Sequence, residues 1–441
     1  MNALERLRAG GVVGGGGAGF PLYQKLAARV KTLLINAAEC EPLLRSDQYL
    51  MLHETEALLR GAEALRALAG AEQCVLCLKE HYREQLRVLR EGIERLALER
   101  VSVKAMPAVY PIGDEQAVVY EATARAVPPL CLPSSVEATV VSVSTAINAY
   151  YAQSGVPVTH RYVTVAGCVL RPGVYHVPVG MPVSELLEQA GGCTVREHRV
   201  FLGGPMMGTL LHPQDDAVVT KTCGGVLAFP AAHVLVRQAE LPLAHMRNRA
   251  KAACIQCRTC TDLCPRYLLG HPIAPHLSMR AFAMGRDMQD GSPLLCMECG
   301  VCELYACPMS LSPRAVQRMY KEALRGQGAR PDFAAEAAHR MRGCRQVPTE
   351  RLMARIDVSA YAFDTPAQAV EVTSERVRIP LRQHIGVAAA PCVAPGERVR
   401  CGDTVGRMAP GALGADVHAS IDGVVERVDA DAVVIGREAA R

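Results

Sequence analysis

CIQCRTCTDLCP, residues 254–265, and CMECGVCELYACP, residues 296–308, decide how the middle of this chain folds. Three cysteines at i, i+3 and i+6 wrap three corners of a cube from one tight loop, and the fourth corner must come from elsewhere. The first run, Cys254-x-x-Cys257-x-x-Cys260-x-x-x-Cys264-Pro265, has the bacterial ferredoxin spacing for a [4Fe–4S] cluster. The second, Cys296-x-x-Cys299-x-x-Cys302-x-x-x-x-Cys307-Pro308, carries one extra residue before its last cysteine. In two-cluster proteins the last cysteine of each run ligates the other cluster. The expected ligand sets are therefore Cys254, Cys257, Cys260 and Cys307 for one cluster, and Cys296, Cys299, Cys302 and Cys264 for the other. Each proline lacks an N–H and turns the chain away from the cage. Zinc is the competing occupant, since CxxC pairs also bind it; two runs of four with Cys-Pro endings fit iron–sulfur better.

The remaining composition narrows the class. With 441 residues there is room for two to four domains at about 100–200 residues each. The absence of Trp, 4% aromatics and a net charge of +4 without a long basic run argue against nucleic-acid binding. The first residues, Met1 to Arg8, lack the apolar core of a signal peptide, and no run of about 18 apolar residues could span a membrane. Eighteen cysteines then point to metal ligation in a reducing compartment. Cys74 and Cys77 form another CxxC, but on the apolar run 73–79 they fall on opposite faces of a strand and read as core thiols.

The chain reads as a multidomain α/β protein. Residues 1–155 alternate strands with helices, implying a parallel, Rossmann-like sheet. Helices are expected over 2–9, 46–68 (with Ser46 in the N-cap position) and 81–98, and strands over 29–36, 73–79 and 101–105. Residues 156–238 read as a small α+β module, with a strand over 162–168 and a helix over 182–191. The cysteine runs occupy a helical unit over 239–328. Residues 329–374, rich in Ala and Arg, read as a helical linker, and residues 375–441 as a β-rich unit with close Gly spacing.

Three polar clusters mark a second site. Gly14-Gly15-Gly16-Gly17-Ala18-Gly19-Phe20-Pro21 allows positive φ and close backbone approach to a ligand, with Lys25 one turn later. Asn36-Ala37-Ala38-Glu39-Cys40-Glu41-Pro42 follows the first strand, and Tyr110-Pro111-Ile112-Gly113-Asp114-Glu115-Gln116 follows the third. Polar residues past the carboxyl ends of parallel strands commonly line a ligand crevice, and carboxylates there accept hydrogen bonds from ribityl or ribose hydroxyls.

These segments resemble the flavin-binding domain that the NADH-binding subunit of respiratory complex I shares with RnfC of the Rnf complexes. That resemblance implies FMN and NADH binding, with Gly15, Gly17, Gly19, Lys25, Asn36, Glu39, Glu41, Asp114 and Glu115 at the site. Where the family carries an Asn-Val-Glu-Thr-like segment this chain has Val141-Ser142-Val143-Ser144-Thr145; Ser142 and Ser144 cannot reproduce the Asn and Glu contacts. Residues 162–211, including Gly203-Gly204-Pro205-Met206-Met207-Gly208, resemble the soluble-ligand-binding β-grasp (SLBB) module, read as a spacer that docks domains or as a cobalamin-contacting surface. Residues 375–441, beginning with the stretch around His384, resemble the Rnf barrel-sandwich domain; they contain no Lys, which excludes covalent biotin or lipoate, and His384 reads as a turn residue.

In RnfC the sandwich comes first, whereas here it follows the cysteine runs. That order resembles the cobalamin reductases of propanediol-utilisation microcompartments. The resemblance implies two [4Fe–4S] clusters, FMN, NADH as donor and cobalamin as substrate. An adenosyltransferase and shell or cargo proteins would be partners inside a cytoplasmic microcompartment. A B12-binding Asp-x-His-x-x-Gly motif is absent, since Asp416-Val417-His418-Ala419-Ser420-Ile421 puts Ile at the Gly position. An Rnf-like NADH:ferredoxin electron-transfer protein and a non-enzymatic electron relay are the alternatives. Arg247, Arg249, Lys251, Arg258 and Arg266 either raise the first cluster's potential or form a solvated basic face.

Overall fold

The computed structural model describes residues 1–438 apart from 213 and 289; the last three residues of the expected C-terminal unit lie outside them. Leu33, Leu34 and Ile35 are wholly buried at the centre of a four-stranded parallel sheet. Its order is Val101–Met106, Gln73–Lys79, Thr32–Asn36, Ala138–Ser142. A strand covered on both faces reads as a continuous apolar run. Leu33 and Ile35 pack on one side with the helix Thr55–Leu68, and Leu34 on the other with Glu115–Thr123. Cys74 and Cys77 follow the same alternation into the two opposite cores.

Two expectations fail. The helix over 46–68 is two helices, Ser46–His53 and Thr55–Leu68, broken at Glu54. Thr55 Oγ1 donates back to the carbonyls of Met51 and Leu52, which bends a helix. Arg45, not Ser46, occupies the cap, and Ser46 Oγ donates to Glu39 instead. Residues 329–374 are not a helical linker but a strap with one short α-helix, Thr349–Arg355. Prolines 331, 348 and 366 interrupt it, and its backbone donors pair with other units. Val347–Pro348 pairs with Val109–Tyr110, and Val370–Glu371 with Tyr175–His176.

The second unit is a six-stranded mixed sheet with the helix Val183–Gln189 against its apolar face. The cysteine runs lie between the helices Leu243–Ala253, Pro275–Met284 and Pro313–Gly326. The C-terminal unit is two small antiparallel sheets enclosing Val377, Ile379, Val405, Val433 and Ile435.

Candidate redox centres

The two cysteine loops share one backbone curl. Gln256 and Glu298, two residues after the first cysteine of each run, are left-handed (φ 56° and 63°); so are Arg258 and Gly300, four residues after it (φ 67° and 78°). Non-glycine residues adopt that conformation at a cost of roughly 1–2 kcal/mol each. The curl points backbone N–H groups inward, a geometry that favours an anion. Glu298 N lies 3.4 Å from Cys296 Sγ, and Leu311 N 3.4 Å from Cys307 Sγ. The extra residue of the second run is absorbed by a wide helical turn, Val301–Tyr305, in which Ala306 N donates to Val301 O.

Cys254, Cys257, Cys260 and Cys307 line one cavity. Burial raises Cys260, and its neighbours Cys307, Cys257 and Cys254 raise it further. Cys264 likewise lies among Cys296, Cys299 and Cys302: burial, then the adjoining thiols, push Cys299 and Cys302 well up. Four thiols packed together cannot all ionise without a cation between them. A cavity lined by Cys254, Cys257, Cys260 and Cys307 suits a cuboidal cluster held by four thiolates.

The glycine loop is closed by a bridge between Val13 and Pro21 and by Gly14 N donating to Phe20 O at 2.9 Å. It lies over the carboxyl end of the strand that finishes at Ser142: a Cβ on Gly16 would sit 3.4 Å from Ser142 Cβ, whereas one on Gly17 would meet nothing within 4 Å. Gly15 N donates to Thr145 Oγ1 at 2.9 Å. The buried Arg161 donates to Gly15 O at 2.6 Å, to Ser144 Oγ at 2.9 Å and to Cys223 O at 3.1 Å. Ser142 Oγ lies 2.7 Å from Thr145 Oγ1. The two serines thus brace the loop. Gly19 (φ 72°) accepts from Ile385 N of the C-terminal unit; a Cβ there would lie 2.8 Å from Gln383 O, so the close approach requires glycine.

Lys25 pairs with Glu115 at 2.5 Å beside the loop. Asn36 Nδ2 donates to Gly113 O at 2.7 Å, tying the second and third polar clusters together. Open glycine backbone and a partly exposed Lys–Glu pair over the sheet's carboxyl edge fit a phosphorylated flavin. Glu39 and Glu41 are engaged elsewhere. Glu39 accepts from Ser46 Oγ, Asp47 N and Gln48 N, satisfying donors at the start of Ser46–His53. Glu41 accepts from Met206 N at 2.9 Å, and Tyr110 OH lies 3.3 Å away. Burial pushes the Glu41 carboxyl up to about 7, against the hydrogen bonds from Met206 and Tyr110 and the charge of Arg314. Gly204 approaches so closely that a Cβ there would overlap the Glu41 side chain. The Gly203–Gly208 loop therefore docks domains. Asp114 caps Glu115–Thr123 and forms a 2.9 Å ion pair with Arg266, two residues past Cys264.

Tyr110 OH donates to Cys299 O at 2.7 Å, so the second cysteine loop sits directly against the crevice-bearing unit. Of the basic residues near the first run, Arg266 pairs with Asp114 and Arg258 with Asp262, 3.4 Å apart. Arg247 lies over the Phe282 ring and Arg249 donates to Met309 O. His384 is buried against the Ala415 backbone, as a turn residue would be. Arg161 was not among the expected site residues. Arg161 sits within an apolar strand with no local motif to mark it.

Family comparisons agree with this layout. The Nuo51 FMN-binding domain matches residues 7–151, the SLBB domain 162–210, a 4Fe-4S dicluster domain 253–312 and the RnfC barrel sandwich hybrid domain 360–440. The cobalamin reductase PduS of Salmonella typhimurium is 43% identical over 437 residues, covering 98% of this chain and 96% of that protein. The protein of the same name from Citrobacter freundii is 41% identical over 440 residues, with the same coverage. A component of the ion-translocating oxidoreductase complex of Pseudomonas aeruginosa is 35% identical over 272 residues, covering 60% of this chain and 33% of that one. In fold alone, the chain is similar to an NAD+-reducing [NiFe]-hydrogenase crystal structure (TM-score 0.50, 21% identity, 75% of this chain and 63% of that one).

An FMN-binding domain and a 4Fe-4S dicluster domain in one chain define a flavin- and iron–sulfur-containing oxidoreductase. Within that class, the chain belongs to the family of the cobalamin reductases PduS.

Proposed function

We propose that this protein uses NADH to reduce cob(III)alamin to cob(II)alamin. The observation that carries the reading is the near full-length relationship to two cobalamin reductases; the glycine loop and the bond from Tyr110 to the second cysteine loop support it. When bound, a flavin accepts two electrons as hydride and releases them singly, and iron–sulfur clusters carry single electrons, which matches a two-electron donor to a one-electron metal acceptor. The chain's own residues supply the placement. Gly17, open on its loop, offers backbone to the flavin phosphate, with Lys25 and Glu115 at the edge, while Gly15 and Gly19 hold the loop in place through Thr145, Arg161 and Ile385. Asn36 fixes the two polar turns against each other. Glu41, Tyr110 and Asp114 hold the second cysteine loop against this unit. Cys254, Cys257, Cys260 and Cys307 would hold one cluster, and Cys296, Cys299, Cys302 and Cys264 the other. The same reading puts the protein in a bacterial microcompartment that uses propanediol, alongside an adenosyltransferase and shell or cargo proteins.

The test is the visible spectrum of anaerobically purified protein, before and after NADH and then with aquacobalamin. NADH should bleach the flavin and cluster bands, and cob(II)alamin bands should then grow. Clusters present but unmoved by NADH would sink the NADH-reductase reading and favour an electron relay supplied by another protein.

A further inference from the structure

The two cages differ in what covers them. The cage of Cys264, Cys296, Cys299 and Cys302 is the inner one. Three of its thiols are buried, and it is roofed by Tyr110 on Cys299 O and by the Asp114–Arg266 pair. The cage of Cys254, Cys257, Cys260 and Cys307 is the outer one: Cys257 is exposed, and Ile255 and Met309, which line the same cavity, are 66% and 40% exposed. Ile255 and Met309 thus leave apolar surface in water at the mouth of the thiol cavity. The rim is also basic. Arg258 lines the cavity, 3.4 Å from Asp262, and Arg249 is pinned there by its 3.0 Å bond to Met309 O.

We propose that free cobalamin docks on this outer rim, its corrin face against Ile255 and Met309 and its nucleotide phosphate beside Arg249, which is held at Met309 O. The proposal rests on the reductase reading. A corrinoid combines a broad apolar macrocycle with one anionic phosphodiester, the chemistry this rim complements. A cluster held by Cys254, Cys257, Cys260 and Cys307 would supply the one electron that takes Co(III) to Co(II).

Equilibrium dialysis of aquacobalamin against oxidised, cluster-loaded protein tests the site without any electron donor. Ile255→Asp and Met309→Asp should each weaken binding roughly tenfold, since each removes the burial of one large apolar side chain, with iron content unchanged. Arg249→Glu should weaken it by a margin that salt erases. In dithionite-reduced wild type, cob(II)alamin should show an electron paramagnetic resonance signal broadened by the neighbouring cluster, and Ile255→Asp should lose the broadening. Equal binding by wild type and all three variants overturns the proposal. So does a wild type that retains no cobalamin, which would mean the corrinoid arrives on a carrier protein. Because neither readout uses NADH, failure of the NADH reading leaves this result standing on its own.

Discussion

Arg161 shows how much a single buried side chain can organise. Its guanidinium reaches from the SLBB unit to a glycine carbonyl 146 residues away, with Asp47 and Glu39 supplying countercharge. Arg161→Met leaves the Gly15 and Cys223 carbonyls without that donor, at a cost of about 1–3 kcal/mol for each buried group. The expected result is a clear drop in melting temperature together with weaker FMN retention on gel filtration. Tyr110→Phe leaves one buried carbonyl, Cys299 O, without its donor and should cost about 1–3 kcal/mol with iron content unchanged, measured by thermal melting and iron assay. The glycine loop and the acidic turns are legible as residue types in the sequence. Glu39 and Glu41 look like ligand carboxylates there, and only folded neighbours show that one serves a helix start and the other a domain contact.

At the scale of elements, the cysteine loops are the most locally coded part of the chain. Their i, i+3, i+6 spacing dictates a curl, and the left-handed Gln256, Arg258, Glu298 and Gly300 execute it. The cross-wise ligand sets can be checked by combining substitutions. Cys264→Ser with Cys296→Ser should lose no more iron than either alone, about half. Cys264→Ser with Cys254→Ser should lose nearly all, measured by iron content and cluster absorbance. The parallel sheet was legible from its apolar runs. The break at Glu54 was not, because Thr55 competes for backbone carbonyls within a pattern that otherwise reads as one helix. Nor was the strap over 329–374, whose Ala- and Arg-rich composition favours helix but whose prolines and remote strand partners decide otherwise.

Across the whole molecule, Lys221 joins three units. It is buried, with Nζ donating to Gly11 O and Asp416 O at 2.9 Å each, and its backbone N donates to Gln383. Burial lowers it from 10.5 to about 7, against the attraction of Asp416. Between those values the unfolded chain holds the proton and the folded one does not, so stability from this group rises with pH across that window and is lowest below about 7. The melting temperature of wild type minus that of Lys221→Met should therefore increase from pH 7 to pH 10. A difference that stays flat would mean the lysine is not buried as described.

By itself the sequence determined the chemistry this protein can hold. Thiol spacing, glycine runs and strand periodicity are read within a dozen residues, and their physical consequences are local. The tertiary structure decided which cysteine loop is roofed and which faces water, how the C-terminal unit seats on the glycine loop, and which carboxylates are spent on docking. Those outcomes depend on burial and on hydrogen-bond partners 146, 189 and 210 residues apart in the chain. Desolvation and the pairing of buried polar groups exist only once distant segments have met.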